Sequence, residues 1–127
     1  ILVHDAVRPL VDNEAIEAVI KKTDEKGAAI VASPMKLTVK KVNPNLEIIK
    51  TVPRHDLWMA QTPQGFKRDL IVKAYDKIKG TDAEFTDDAE IVEKAGHTVG
   101  VVSGSYDNIK ITTREDLKLA ELLLVKC

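Results

Sequence analysis

A single cysteine in 127 residues, Cys127, leaves no disulfide framework and fits a reducing, cytoplasmic compartment. Aromatic residues make up only 4%, so a core must be built from aliphatic side chains. No apolar run approaches the ~20 residues of a membrane-spanning helix, and no signal-peptide pattern opens the chain at Ile1. The six glycines never gather into a phosphate-cradling loop, and no nucleophile elbow is present. The three histidines, His4, His55 and His97, lie too far apart for a metal-ligand spacing. Charge of one sign is lacking as well. A formal net charge of −1 speaks against a nucleic-acid or membrane-surface binder. What is present, 44% hydrophobic and 31% charged residues, is ordinary globular composition with enough chain for one α/β domain over residues 1–127.

The charge is unevenly placed. Between Lys36 and Arg68 seven basic residues face two acids, while the remainder is acidic overall. Charge alone reads as a solvated face; a basic zone of this size also suits a small phosphorylated ligand. Ile1-Leu2-Val3 is a β-branched run that predicts a buried strand ending at His4-Asp5. Asp12 or Asn13 can cap a helix with Ile16, Val19 and Ile20 on one face, and Ala28 to Ala32 predicts a second buried strand, stopped by Pro34. Strand, helix and strand in this order predict a βαβ unit of a parallel sheet. Leu37–Val42 and Leu46–Val52 flank Asn43-Pro44-Asn45, which predicts a lysine-rich hairpin over residues 36–54. An isolated ribbon is marginal in water, so it must lie on the body or on another chain. Gln61 to Phe66 cannot be helical, and a helix follows from about Lys67 with Leu70, Ile71, Ala74, Tyr75 and Ile78 on one face. Thr86 is the expected cap of a further helix, which Gly96 stops. Thr98–Val102 and Ile109–Thr112 read as strands. Thr113 opens a final helix by a capping box, and its many leucines predict burial.

Ligands of open α/β sheets sit beyond the C-terminal strand ends, which selects Asp5 and Arg8 after the first strand. There the acid can hold a cation and the arginine a phosphate, or the two can form an ion pair that orients the loop. Arg54, at the base of the hairpin, is a solvated charge unless a phosphate lies near it. Thr62 and Thr86 offer hydroxyls whose default roles are turn and cap. Lys110, between Ile109 and Ile111 and close to Asp107, is an unusual lysine that leans towards function. A haloacid-type phosphatase needs a second Asp two residues after the first, and Val7 occupies that place.

Taken together, His4-Asp5-Ala6-Val7-Arg8-Pro9, Thr51-Val52-Pro53-Arg54, Ala60-Gln61-Thr62-Pro63-Gln64-Gly65-Phe66, Thr86-Asp87-Asp88-Ala89 and Ser105-Tyr106-Asp107-Asn108-Ile109-Lys110-Ile111-Thr112 resemble the 2-C-methyl-D-erythritol 4-phosphate cytidylyltransferase family of non-mevalonate isoprenoid synthesis. The five motifs occur in the family's order, from Ile1 almost to Cys127. The resemblance implies a doubly wound, mostly parallel nucleotidyltransferase sheet of Rossmann-like type with a protruding hairpin arm. It implies attack of a sugar-phosphate oxygen on the α-phosphorus of CTP, with pyrophosphate leaving and Mg2+ present. Arg54 and Lys110 would be the catalytic pair that holds the sugar phosphate. Asp5, Arg8, Thr38, Thr62 and Thr86 would bind substrate, with Asp5 and Asp107 as candidate metal carboxylates. The arm would embrace a second subunit, so that Arg54 and Thr38 serve the partner's site in a homodimer. Leu37 stands where family members often carry Asp. The family's glycine-rich CTP loop would precede Ile1, so these 127 residues alone are expected to bind CTP poorly and not to turn over. Ribitol-5-phosphate cytidylyltransferase shares most of the motifs and is the near alternative. A non-catalytic α/β assembly module, using the hairpin for docking, is the alternative of another class.

Overall fold

Ala28 to Pro34 form the strand on which everything else is layered. The computed structural model describes residues 1–125, so Cys127 lies outside the described residues. In chain order the elements are β1 (Leu2–Val3), α1 (Asn13–Lys26), β2 (Ala28–Pro34), β3 (Val39–Val42), β4 (Ile48–Val52), β5 (Trp58–Phe66), α2 (Arg68–Ile78), α3 (Asp88–Lys94), β6 (Gly100–Ser103) and α4 (Arg114–Leu124). One sheet has the order β1-β5-β2-β6, and β3 and β4 make a separate two-stranded ribbon. Alternate residues of β2 face opposite sides. Ala28 joins Phe66, Ile71, Ala74, Ala89, Ile91 and Val92 under α2 and α3. Ala29 and Val31 pack with Ala15, Val19 and Val102 under α1. Helices thus cover both faces, as an α/β layered fold requires.

The strand–helix–strand expectation is modified in one respect. β1 and β2 point the same way but are not neighbours, because β5 lies between them, antiparallel to both. β2 and β6 are parallel neighbours, so three of the four strands share one direction. Polar residues and Pro63 mask β5 in the sequence. The ladder between β2 and β5 shifts its register between Ile30 and Ala32, opposite the Pro63 region, where a residue without an N–H is tolerated. The Thr62–Pro63 peptide is cis.

Other expectations are corrected. β1 is exposed rather than buried, since among the described residues it is an edge strand paired with β5 alone. Ile20 of α1 is exposed; the buried face runs through Ala15, Val19 and Thr23. Asp12 is the cap of α1, accepting from the Ala15 N–H. Asp87, not Thr86, caps α3, accepting from the Glu90 N–H. Ile109–Thr112 is not a strand: Ile111 makes a single backbone bond, donating to the Val7 carbonyl at 2.9 Å. The capping box of α4 forms as expected from Thr113 and Asp116, but of its side chains only Ala120 is buried. Leu117, Leu119, Leu122 and Leu124 are exposed because no described element covers that face. Among the described residues no helix is long and apolar enough to cross a membrane.

Gly27 closes α1 in the left-handed conformation, with φ of 91°, and its N–H donates to the Thr23 carbonyl. Gly65 is required for a different reason, close approach: a Cβ there would lie 2.3 Å from the Thr23 hydroxyl oxygen. Gly65→Ala is expected to push α1 off β5 and to cost about 1–3 kcal/mol, read as a lower urea midpoint with an unchanged slope. An unchanged midpoint would mean that the helix–strand contact is loose.

Candidate active site

The C-terminal ends of β1 and β6 lie at the same end of the sheet, and the loops that leave them meet over β5. Backbone bonds set the loops: Arg8 N–H donates to the Asp5 carbonyl, and Ile111 N–H to Val7. They wall a cleft of about 310 Å³ lined by Asp5, Arg8, Gln61, Thr62, Thr86 and Lys110, among others. Arg8 Nε donates to Asp5 Oδ2 at 3.0 Å, and Lys110 Nζ lies 3.4 Å from the same oxygen. Arg8 also donates to the Asn108 carbonyl at 2.6 Å, which fixes its guanidinium against the loop after β6. Asp5 is partly buried, which alone would raise its pKa. The hydrogen bonds and charges of Arg8 and Lys110 outweigh that and hold the carboxyl below the usual carboxylate range. One carboxylate between two cations leaves a local excess of positive charge around Asp5, which suits a phosphate ester, while Asp87 and Asp88 add acidic groups elsewhere in the lining.

The two hydroxyls on the wall are positioned from below. Thr62 Oγ1 accepts from the Asp5 N–H at 2.9 Å and lies 2.8 Å from His4 Nδ1. Thr86 donates to Glu90 Oε2 at 2.9 Å. Its N–H donates to the same oxygen, and these bonds hold the Glu90 carboxyl below its ordinary range.

Asp5, Arg8, Thr62, Thr86 and Lys110 are therefore brought together. Arg54 and Thr38 are not among the cleft's lining residues. Arg54 is exposed at the base of the β3–β4 ribbon and donates to the Lys36 carbonyl at 2.6 Å. Asp107 lines another hollow, beside Pro9, Leu10 and Leu123. Among the described residues no three His, Cys, Asp or Glu side chains cluster to hold a metal. Asp5 is committed to two cations, Asp87 to the Gln64 amide and the Glu90 N–H, Asp88 accepts from the Tyr75 hydroxyl and Asp107 lies elsewhere, so the residues present do not by themselves fit a magnesium site.

Sequence reasoning treated Gln61, Gln64 and Asn108 as parts of motifs and gave them no role. All three are buried. Gln61 donates to Ser33 and to the Ser105 carbonyl, Gln64 donates to Asp87, and Asn108 donates to Gln61 and to the Thr62 carbonyl. The available signal was their polarity next to Pro63 and in the segment Asp107–Lys110, which no spacing rule ranks.

A sheet covered on both faces, with a polar, hydroxyl-lined cleft beyond its strand ends, defines an α/β domain of the nucleotide-binding type. The family model for 2-C-methyl-D-erythritol 4-phosphate cytidylyltransferase (IspD) matches residues 1–126, and the chain belongs to that family. It is 50% identical over 98% of its length to the 2-C-methyl-D-erythritol 4-phosphate cytidylyltransferase of Alkaliphilus oremlandii, and covers 52% of that protein. A relative of the same description from Bacillus licheniformis is 46% identical, with 53% of it covered. The crystal structure of the 4-diphosphocytidyl-2C-methyl-D-erythritol synthase of Anaerococcus prevotii superposes with a TM-score of 0.89 at 36% identity, over 97% of this chain and 55% of that one. The Francisella tularensis 2-C-methyl-D-erythritol 4-phosphate cytidylyltransferase gives 0.87 at 38% identity, over 95% and 57%. The chain spans about half the length of the curated relatives it matches.

The depressed Asp5 carboxyl links the site to stability. A group whose folded pKa is lowered stabilises the fold above its unfolded pKa of about 3.9 and loses that contribution as pH falls through the folded value. Wild type is expected to exceed Asp5→Asn by about 1 kcal/mol near neutrality, a gap that closes on acidification below about pH 4. Urea titrations at several pH values read it. A gap that widens with acid would contradict the assignment.

Proposed function

We propose that the chain carries the sugar-phosphate side of a cytidylyltransferase that joins 2-C-methyl-D-erythritol 4-phosphate to CTP. One observation carries this: Arg8 and Lys110 converge on Asp5 in a cleft whose wall also bears the Thr62 and Thr86 hydroxyls. In the reaction a phosphate oxygen of the sugar phosphate forms a bond to the α-phosphorus of CTP. The bond from that phosphorus to the β-phosphate's bridging oxygen breaks, and pyrophosphate leaves. Little covalent work falls to the protein, so in-line positioning and charge neutralisation supply the rate. Lys110 holds the attacking phosphate, Asp5 accepts from sugar hydroxyls, and Arg8 locks Asp5 in place. Magnesium would enter with the nucleotide and would neutralise charge on its phosphates.

Arg54 and Thr38 enter from a second copy, in a cytoplasmic homodimer clasped by the 36–54 arm. Support comes from the ribbon itself: two strands with Leu37, Ile48 and Ile49 exposed need a covering surface. In the enzyme containing these residues, Lys110→Ala and Arg54→Ala are each expected to lower kcat/KM by about 10²–10³-fold without loss of fold. Mixing the two variants should restore part of the activity, because one site in each mixed dimer keeps both residues. No recovery in verified mixed dimers would refute the shared site, and near-normal rates in both single variants would refute the assignment.

A further inference from the structure

The two cleft hydroxyls have their protons directed into the protein. His4 Nε2 lies 3.0 Å from the Arg8 carbonyl, an oxygen that can only accept, so Nε2 carries the ring proton. In the neutral ring Nδ1 is then a bare acceptor, and at 2.8 Å the Thr62 hydroxyl donates to it. The Asp5 N–H occupies one lone pair of that hydroxyl. Thr62 keeps one lone pair and no proton for a ligand. Thr86 likewise has no proton to offer, since its own goes to the Glu90 carboxylate, which cannot donate in return, and only lone pairs remain on its hydroxyl. Among the described residues the side-chain donors left on the wall are the cations Arg8 and Lys110, since the Gln61 and Gln64 amides are engaged within the protein, and the Asp87 and Asp88 carboxylates add only acceptors.

Such a wall sorts the two ends of a polyol phosphate. A hydroxyl of the polyol can donate to Thr62, to Thr86 or to the Asp5 carboxylate. An ionised phosphate oxygen carries lone pairs only, so against Thr62 it would set acceptor against acceptor. We propose that His4 is a positioning residue: as the Nε2–H tautomer it turns the Thr62 proton away from the cleft, so that Thr62 takes a substrate hydroxyl and refuses the phosphate. The inference rests on the sugar-phosphate reading above and extends it from which residues bind to which end of the substrate each one accepts.

Two measurements on the enzyme containing these residues test it, both at about pH 8, above the ordinary imidazole range. Long-range proton–nitrogen correlation of the ligand-free enzyme should show a protonated Nε2 and a bare Nδ1 for the imidazole whose signals vanish in His4→Asn. An Nδ1–H tautomer overturns the proposal whether or not the enzyme turns over. In steady-state kinetics His4→Phe should raise KM for methylerythritol phosphate about tenfold, equivalent to about 1.4 kcal/mol, with KM for CTP unchanged. His4→Asn, whose Oδ1 stands near the former Nδ1, should recover most of the loss. His4→Gln, which restores only a donor to the Arg8 carbonyl, should not. A Thr62→Val/His4→Phe double variant should be no worse than Thr62→Val alone. Additive losses, or equal rescue by Asn and Gln, would overturn the proposal. Should His4→Phe fail to fold, the Asn and Gln pair decides. Absence of turnover in the wild type with this substrate would instead sink the underlying reading, and the tautomer would still decide the role of His4.

Discussion

Gln61 and Gln64 lie in the middle of the sheet, almost wholly buried, on a strand with neighbours on both sides. A buried amide left without partners costs about 1–3 kcal/mol, so the surrounding loops must come to them. They do. The loop after β6 brings the Ser105 carbonyl and the Asn108 amide to Gln61, and the start of α3 brings Asp87 and the Ala89 N–H to Gln64. Satisfying two glutamines thereby fixes where Lys110 and Thr86 stand, and both end on the wall of one cleft. The fold and the site are thus solved by the same hydrogen bonds.

The electrostatics follow from that placement. Lys110 is half-exposed, whereas Arg8 is nearly buried and bonded to both Asp5 and the Asn108 carbonyl. Arg8 therefore acts as a fixed strut, while Lys110 is the cation with freedom to move. Asp5 keeps the pair from repelling each other, and their hydrogen bonds and charges hold its carboxyl below the usual carboxylate range. In the proposed reaction the hydroxyls complete a division of labour, with cations for the phosphate and lone pairs for the polyol.

Much of this was legible in the sequence, and the rest was hidden for identifiable reasons. The Asp5–Arg8 pair is local, three residues apart, and could be read from the strand-end rule. Lys110 approaches Asp5 across more than a hundred residues, and only the family resemblance brought them together. β5 was unreadable as a strand because its buried positions begin with two glutamines and a proline, ahead of Gly65 and Phe66, and the burial of the glutamines depends on partners that sequence alone cannot supply. The leucines of α4 were expected inside by hydrophobicity, yet most face outward, because burial is a property of what covers a helix and not of the helix itself. Thr86 and Asp87 are equally good caps by residue type, and only the bond to Glu90 N–H distinguishes them.

The central claim is the substrate. It is tested most directly by pyrophosphate release from the enzyme containing these residues, with CTP, magnesium and either methylerythritol phosphate or ribitol 5-phosphate. The account predicts release with methylerythritol phosphate. Release with ribitol phosphate alone, or with neither, would contradict it.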